Sequence, residues 1–277
     1  MKGRSSVSKE RCGTVAVINN QPDFHRMMDE SDVEGLVKVL GHSQAHLRMQ
    51  ASDLLIRLGE LALPVLISTL DDPNPEIRKG CIRALGGIGN NKAVVPLLRH
   101  LRKEEAGVAQ FIIDSLAELR DPRAVPALCR MTRNPSLILR YNAVRGLGDF
   151  SDRRSVPFLI DALSDNANIV RLRAIDSLSN IDEATLWSPI SELLDDPSPG
   201  VRAQAARAMG KLKARGAIKH LLRMLSSNVE TDRIEAVRAL GELGGREVRE
   251  SLELARILEG QERVIKEIDR ALDDFTA

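Results

Sequence analysis

The amino-acid sequence predicts an all-α fold, a right-handed superhelix of about seven 31-residue helix pairs closed by a C-terminal pair of capping helices. The main observation is an arginine that recurs every 31 residues, with Arg48 one step of 30 earlier and Ala109 as the interruption: Arg78, Arg140, Arg171, Arg202 and Arg233. Around each arginine, apolar residues recur at helical spacing. Aromatic residues make up only 3% of the chain, so Leu, Ile, Val and Ala must build the core. A fixed register of this kind indicates stacked copies of one helical unit.

The first helix of each unit, the A helix, is short and apolar. It is predicted at 64–70, 96–101, 126–131, 157–163 and 189–194. Its prolines, such as Pro126 and Pro157, fall near the first turn, where the missing N–H costs little. The A helices therefore begin at or near a proline.

The second helix, the B helix, is predicted at 76–89, 137–150, 200–212 and 232–244. In the first of these, one apolar face consists of Ile77, Cys81, Ala84, Leu85 and Ile88. The segments 72–75 and 196–199 both end an A helix, offer Asn74 or Ser198 as the N-cap, and place proline at the first position of B. A glycine late in B leaves room for a close neighbour or a turn, at Gly86, Gly148, Gly210 and Gly241.

The domain organisation follows from this register. Residues 1–22 lack helical periodicity and are predicted to form a flexible tail, and residues 23–277 form one solenoid. Its repeats are expected at about 31–60, 61–91, 92–122, 123–153, 154–183, 184–214 and 215–245, with a C-terminal cap at 246–277. In the last helix Ile265, Ile268 and Leu272 form a stripe under a charged outer face, as a terminal unit requires. No clear capping helix precedes residue 31, so self-association through the N-terminal end is an option.

The repeat unit resembles the HEAT repeat, in particular the short type found in phycobilisome-lyase-like HEAT proteins. The resemblance is carried by the pattern Asp-Pro-x-x-(Val/Ile)-Arg-x-x-Ala-x-x-Ala-Leu-Gly, which 196–210 approach closely and 72–86 meet with Cys81 in place of an alanine. It covers about residues 31–245. The resemblance implies a HEAT/armadillo-like fold whose B helices line the concave face. It does not specify a function, because such repeats serve in scaffolds, adaptors, lyase subunits and DNA-repair proteins.

Composition excludes several classes of function. The net charge is +1, from 40 basic and 39 acidic residues, so general attraction to nucleic acid or to membranes is not expected. Cys12, Cys81 and Cys129 fit neither a zinc site nor a disulfide framework, and no signal peptide or membrane span is legible. We therefore expect a cytoplasmic protein.

No catalytic or cofactor motif is present in the sequence. No histidine is followed by glutamate, which argues against the HEAT-like iron enzyme deoxyhypusine hydroxylase, and no phosphate-binding glycine loop occurs. His42 and His46 are four residues apart but straddle a predicted turn. We predict no metal site, no cofactor and no catalytic residues.

Two columns of the repeat point away from the A/B core. The first column contains Met49, Lys79, Gln110, Tyr141, Leu172, Ala203 and Ile234. Its large apolar members are either a docking strip for a partner or residues buried by packing between neighbouring B helices. The second column alternates in sign until its last step, through Asp53, Arg83, Asp114, Arg145, Asp176, Arg207 and Arg238. It is either a ladder of surface ion pairs or a recognition surface, with a spare positive charge near Arg207 and Arg238.

The arginines of the 31-residue register lie at the edge of the core and are predicted to bond an acid or carbonyl between helices. Lys92, Arg123 and Arg154 form a basic ridge at the B-to-A turns, which is either solvated or a contact for phosphate or an acidic protein.

The leading hypothesis is a non-enzymatic scaffold or adaptor that binds a protein partner along the B helices. The predicted apolar anchors are Met49, Tyr141, Leu172 and Ile234, and the predicted charged guides are Arg83, Arg145, Arg207 and Arg238. One alternative is a bilin lyase-like subunit or a chaperone for a chromophore, which would bind a tetrapyrrole such as phycocyanobilin. A second alternative is a nucleic-acid-binding HEAT protein.

Overall fold

The computed structural model describes residues 22–150, 152–181 and 183–274, and these residues are helical or lie in turns and loops, with no strand. The predicted all-α class is therefore confirmed. Apart from Pro22, the predicted N-terminal tail lies outside the described residues.

Within these residues 17 α-helices follow one another. A short helix, α1 (Phe24–Asp29), comes first. The A helices are α2 (Val33–Val39), α4 (Leu63–Ser68), α6 (Val94–Leu101), α8 (Val125–Met131), α10 (Val156–Ala162), α12 (Trp187–Ser191), α14 (Ile218–Met224) and α16 (Arg246–Leu258). The B helices are α3 (Ala45–Leu58), α5 (Pro75–Ile88), α7 (Ala106–Leu119), α9 (Leu137–Phe150), α11 (Asn168–Ser179), α13 (Pro199–Lys211), α15 (Glu230–Leu243) and α17 (Glu262–Asp274).

The starts of the B helices follow the predicted chemistry in part. Asn74 caps α5, since its side-chain oxygen accepts a hydrogen bond from the Glu76 amide at 2.9 Å, and Pro75 begins the helix. Ser198 occupies the same position before α13 but makes no capping hydrogen bond. Instead, the Asp196 carboxylate accepts from the Ser198 amide at 2.8 Å. The prediction of Ser198 as a capping side chain was therefore wrong, because the aspartate two residues earlier reaches the turn first.

The helices pack as two layers around one continuous core. Each A helix contacts the B helix of its own unit, and each B helix from α3 to α15 contacts the B helix of the next unit. Fully buried leucines such as Leu55, Leu85, Leu116 and Leu147 recur along the B layer. This arrangement is an α-solenoid, in which each unit is stabilised chiefly by its immediate neighbours.

Glycine permits the close approach of neighbouring B helices. A Cβ added at Gly148 would lie 2.4 Å from Ser177 Oγ and 3.0 Å from Ser177 Cα on the next B helix. At Gly210 it would lie 3.3 Å from the Ala239 Cα. The glycine column predicted to allow a close neighbour does so, because at these points backbone faces backbone.

The N-terminal end differs from the prediction. The helix α1 precedes the first repeat and contacts both α2 and α3. Phe24, Met27 and Met28 pack against the hydrophobic core. The expectation that no capping helix precedes residue 31 was therefore wrong, and the argument for self-association through this end loses its premise.

Candidate functional site

The recurrent arginines form an arginine ladder, defined as Arg48, Arg78, Arg140, Arg171, Arg202 and Arg233. Arg171 shows the pattern: its Nη1 donates to the carbonyls of Asp165 at 2.8 Å and Asn166 at 3.4 Å, in the A-to-B loop of its own unit. Its Nε and Nη2 donate to the two carboxylate oxygens of Asp196, in the next unit, at 2.8 Å each. One side chain thus fixes its own loop and joins it to the following unit, as predicted for this column.

The other members of the ladder repeat this geometry. Their carboxylate partners, each in the following unit, are Glu76, Glu104, Asp165, Asp232 and Glu259. Where Ala109 replaces the arginine, the residue 25 positions later, which is where Asp165 and Asp196 serve Arg140 and Arg171, is Asn134. A neutral amide needs no cationic partner, so the interrupted position leaves no unpaired buried carboxylate.

The ladder lowers the pKa of some of its carboxyl groups. Burial alone would raise the pKa of Asp165, but hydrogen bonds from Arg140 and the Ala167 amide outweigh it and hold the pKa below the ordinary 3.8. The hydrogen bond from Arg233 is the main cause that lowers the pKa of Glu259 below 4.5. Each group thus binds its proton less readily in the folded chain than in the unfolded chain.

We predict that acid weakens the fold through these groups. A carboxyl whose folded pKa is depressed stabilises the fold above its unfolded pKa, and that contribution is lost as the pH falls through the folded pKa. The free energy of unfolding should therefore decline as the pH drops below about 4.5, measured by urea unfolding between pH 7 and pH 3. Burial raises the pKa of Asp114 and Glu118, which oppose this decline. An Asp165→Asn variant should show a shallower decline than the wild type, and an unchanged slope would contradict the assignment.

The second column forms ion pairs over only part of its length. Arg83 donates to Asp53 at 3.0 Å, and Arg145 donates to Asp114 at 2.5 Å, each reaching the preceding B helix. These pairs are half-exposed or more exposed, so each contributes less than about 1 kcal/mol. Asp176 contacts Arg173 and Gln204 and does not pair with a column arginine. The ladder interpretation therefore holds for the two N-terminal pairs.

The predicted spare positive charge near the last two units is not present, which corrects the sequence analysis. Arg207 donates to both carboxylate oxygens of Glu235, at 2.9 and 3.1 Å. Arg238 donates to Glu235 at 3.1 Å and to Glu267 at 2.8 Å. The Glu235 side chain is only 4% exposed beneath the two arginines. Glu235 belongs to a neighbouring column, one residue further along the B helix, which the comparison of charges within one column did not include.

The apolar column is not one continuous strip. Met49 is 53% exposed, but it lies on α3, separated from Tyr141 by the polar Lys79 and Gln110. Tyr141 and Leu172 are half-buried and pack against the core, and Ile234 is only 9% exposed. As a predicted anchor, Ile234 is therefore wrong: packing between B helices covers it, which is the second of the two interpretations left open by the sequence.

The exposed apolar surface lies one turn earlier than the sequence analysis placed it. Ile138 on α9 and Ile169 on α11 are each 43% exposed, three residues before Tyr141 and Leu172. We call these four residues the central apolar patch. The corresponding residues of the other units are His46, Glu76, Gly107, Gly200 and Thr231. The signal was therefore in the sequence, as two isoleucines 31 residues apart in a column that is otherwise polar or glycine.

Tyr141 is held in one orientation within the patch. Arg173 Nη2 donates to its hydroxyl at 2.8 Å, and the Arg173 guanidinium lies 5.3 Å from the centre of its ring. The contact combines a hydrogen bond with a cation–π interaction. A side chain fixed before binding loses little entropy on contact with a partner.

A polar groove lies beside the central apolar patch on the C-terminal side. It encloses about 550 Å³ over α11, α13 and α15, and its lining includes Arg173, Asp176, Gln204, Arg207 and Glu235. The apolar patch is thus bordered by paired charges and amides. An apolar centre with a polar border is the usual anatomy of a protein interface.

The predicted basic ridge is partly neutralised. Arg123 pairs with Asp121 at 2.6 Å and Arg154 pairs with Asp152 at 2.6 Å. Each arginine also donates to a carbonyl of the preceding B-to-A turn. These hydrogen bonds link successive turns, so the ridge has a structural explanation.

The described residues contain no group of three or more His, Cys, Asp and Glu side chains that could hold a metal ion. In the same part of the chain, none of the helices has the length and apolar character needed to cross a membrane.

A family model for HEAT repeats matches residues 33–111, 97–179 and 188–272. These matches extend over most of the chain, and the helix pairs described above correspond to the repeats. The chain belongs to the HEAT-repeat family. The resemblance of its repeats to the phycobilisome-lyase-like type is in keeping with the solved structures that it matches.

Among solved structures, the YibA protein of Escherichia coli is 19% identical, with a TM-score of 0.63, over 91% of this chain and 97% of that one. An engineered protein is 20% identical, with a TM-score of 0.52, over 91% of this chain and 80% of that one. The CpcE–CpcF complex of phycocyanin lyase from Nostoc sp. is 19% identical with a TM-score of 0.46, over 98% of this chain and 100% of that one. At these identities the likeness concerns the fold alone. No curated protein matches the sequence significantly.

Proposed function

We propose that this HEAT-repeat protein is a non-enzymatic scaffold that binds a protein segment across the B helices α9 and α11. The observation that carries the proposal is the exposure of Ile138 and Ile169, each 43%, on a face whose remaining columns are polar, small or covered. Exposed apolar side chains that lie together on one surface are a common mark of a binding site.

The shape of the central apolar patch suits a helix or an extended segment. Ile138 and Tyr141 lie three residues apart on one helical face, as do Ile169 and Leu172 on the next helix, and the two helices are in contact. The patch thus has two parallel apolar rows with a shallow depression between them. A partner would place its own apolar side chains in that depression, as amphipathic helices do in grooves.

The charged residues of the B face have a supporting role in this proposal. Arg83, Arg145, Arg207 and Arg238 all have carboxylate partners within the chain. A paired surface charge contributes more to the rate and orientation of encounter than to net affinity. We therefore place the binding energy in the central apolar patch and assign orientation to these arginines.

Affinity capture from native lysate tests the proposal, with wild type beside an Ile138→Asp/Ile169→Asp variant and with nuclease treatment in parallel. Wild type should retain a protein, indifferent to nuclease, that the variant recovers at least tenfold less, because residues at an interface centre often contribute 2 kcal/mol or more each. Purified components should then show the same loss in Kd. These isoleucines are better targets than Tyr141 and Leu172, whose half-buried side chains also support the core.

The matched control is Leu61→Asp, since Leu61 is 68% exposed on a B-to-A turn away from the central apolar patch. Circular dichroism must show that all variants fold. Equal loss in the control and in the patch variant, or capture that depends on nucleic acid, would overturn the proposal.

A further inference from the structure

A second apolar surface lies at the C-terminal end of the solenoid, on the A layer and away from the central apolar patch. A groove of about 510 Å³ separates α14 from α16. We call it the terminal groove, and its apolar lining comprises Leu222, Leu225, Leu254, Ala255, Leu258, Val264 and Ile268. None of these residues belongs to the surface discussed above, so the terminal groove does not depend on the proposed function.

The helix α16 carries two apolar faces, of which its own chain covers one. Val248 and Leu252 are buried against the core. Leu254 is 58% exposed and Leu258 is 77% exposed, and both face the terminal groove with Ala255 between them. At 13 residues α16 is also longer than every other A helix, since those have five to eight residues. A terminal unit normally presents a polar outer face, so this second apolar face indicates an additional binding partner.

A glycine pair sets the direction in which α16 leaves the B layer. Gly244 and Gly245 join α15 to α16 with φ of 65° and 108°. Side-chain-bearing residues rarely adopt such angles. The connection therefore directs α16 along a course that leaves the groove open beside α14.

We propose that the terminal groove binds the N-terminal segment of a second copy of this chain. Residues 1–21 contain one apolar run, Val15 to Ile18. Four extended residues span about 13 Å, which is close to the length of about 10 Å that seven residues of helix occupy, as between Ser251 and Leu258 on α16. The run is thus long enough to cover the exposed apolar face of α16.

The charges of the two elements are complementary. Residues 1–21 have four basic side chains, Lys2, Arg4, Lys9 and Arg11, and one acidic side chain, Glu10. Residues 246–274, which form α16, α17 and their connection, have nine acidic and six basic side chains. The basic residues precede the apolar run, so they would reach the acidic surface around the groove while the run occupies its floor. Attraction between such elements weakens as salt screens them.

The second copy follows from the length of the chain. The N-terminal segment joins the solenoid at α1, seven helix pairs before α16, and neighbouring pairs lie about 10 Å apart. Twenty-one residues reach about 70 Å only when fully extended, so the segment would have no length left to lie in the groove of its own chain. Contact with a second copy is head to tail, and such a contact can continue from copy to copy.

A fluorescent peptide of residues 5–20, titrated with the full-length protein and followed by anisotropy, tests the occupant directly. The peptide should bind, and binding should weaken at least tenfold for the Leu254→Asp/Leu258→Asp protein and for a peptide with Val15→Asp/Val17→Asp. Binding should also weaken between 0.05 and 0.3 M salt. The Ile138→Asp/Ile169→Asp protein should bind the peptide like the wild type, which separates this inference from the proposed function.

Sedimentation velocity of the full chain gives the second readout. The average mass of the wild type should rise with concentration, and the Val15→Asp/Val17→Asp chain, whose described fold is untouched, should stay monomeric. A peptide that does not bind, or that binds the groove variant equally well, overturns the proposal. Assembly that survives the tail substitutions but not the groove substitutions would show that the folded body of a second copy fills the groove, and it too overturns the proposed occupant.

Discussion

Replacing Arg171 with alanine is expected to lower the free energy of unfolding by about 3–5 kcal/mol, the cost of removing one partner from a buried ion pair. Asp196 would be left with a side chain only 3% exposed and without its cation. The carbonyls of Asp165 and Asn166 would lose a donor as well. The cost is high because the remaining carboxylate cannot regain water without opening the contact between two units.

Arg83→Ala is the matched control, because Arg83 also reaches an aspartate in a neighbouring unit but with 42% and 59% of the two side chains exposed. Its expected cost is below about 1 kcal/mol. Urea unfolding followed by circular dichroism measures both, with the m-values compared, since loss of cooperativity in a repeat array lowers the m-value. Similar losses for the two variants would show that the arginine ladder contributes no more than a surface ion pair.

The thiols of Cys81 and Cys129 are expected to react with a disulfide reagent at least 1,000-fold more slowly in the folded chain than in the unfolded chain. Burial, together with the charge of Asp72, raises the pKa of Cys81 from 9.0 to about 12, which alone reduces its thiolate about 1,000-fold at pH 8. Burial is also the main cause that raises the pKa of Cys129. Only the thiolate attacks the reagent, and both side chains are closed to it.

The measurement uses a Cys12→Ser chain, so that only these two thiols contribute, at pH 8 with and without urea. A further Ser164→Cys substitution adds an exposed thiol on the surface, which should react at the rate of an unfolded chain. If either native thiol reacts at that rate before unfolding, the packing described around it is wrong.

The arginine ladder explains why the 31-residue register is so strict at one position. Each guanidinium must reach two carbonyls five and six residues earlier and a carboxylate about 25–30 residues later. An insertion within a unit would break the second contact even if both helices still formed. The interrupted unit supports this interpretation, because Ala109 and Asn134 lose arginine and carboxylate together.

The binding surface was predicted less well than the fold. Tyr141 and Leu172 were assigned to an exposed strip from their angular position on the B helix, and the structure places them half-buried beside Ile138 and Ile169. Ile234 shares the same angular position but is covered. Position within the repeat determines the direction of a side chain, whereas exposure depends on the size of the neighbouring side chains and on the spacing of the helices.

The sequence by itself determined the all-α class, the helix pairs, their order and the role of the arginine register. These features are local or repeat at one offset, so arithmetic along the chain gives contacts in space. Only the tertiary structure showed that Glu235 lies beneath Arg207 and Arg238, that α1 covers the first repeat, and that α16 leaves a groove beside α14. Each of these depends on how far apart two particular helices settle, and that distance is set by packing among many side chains rather than by any one of them.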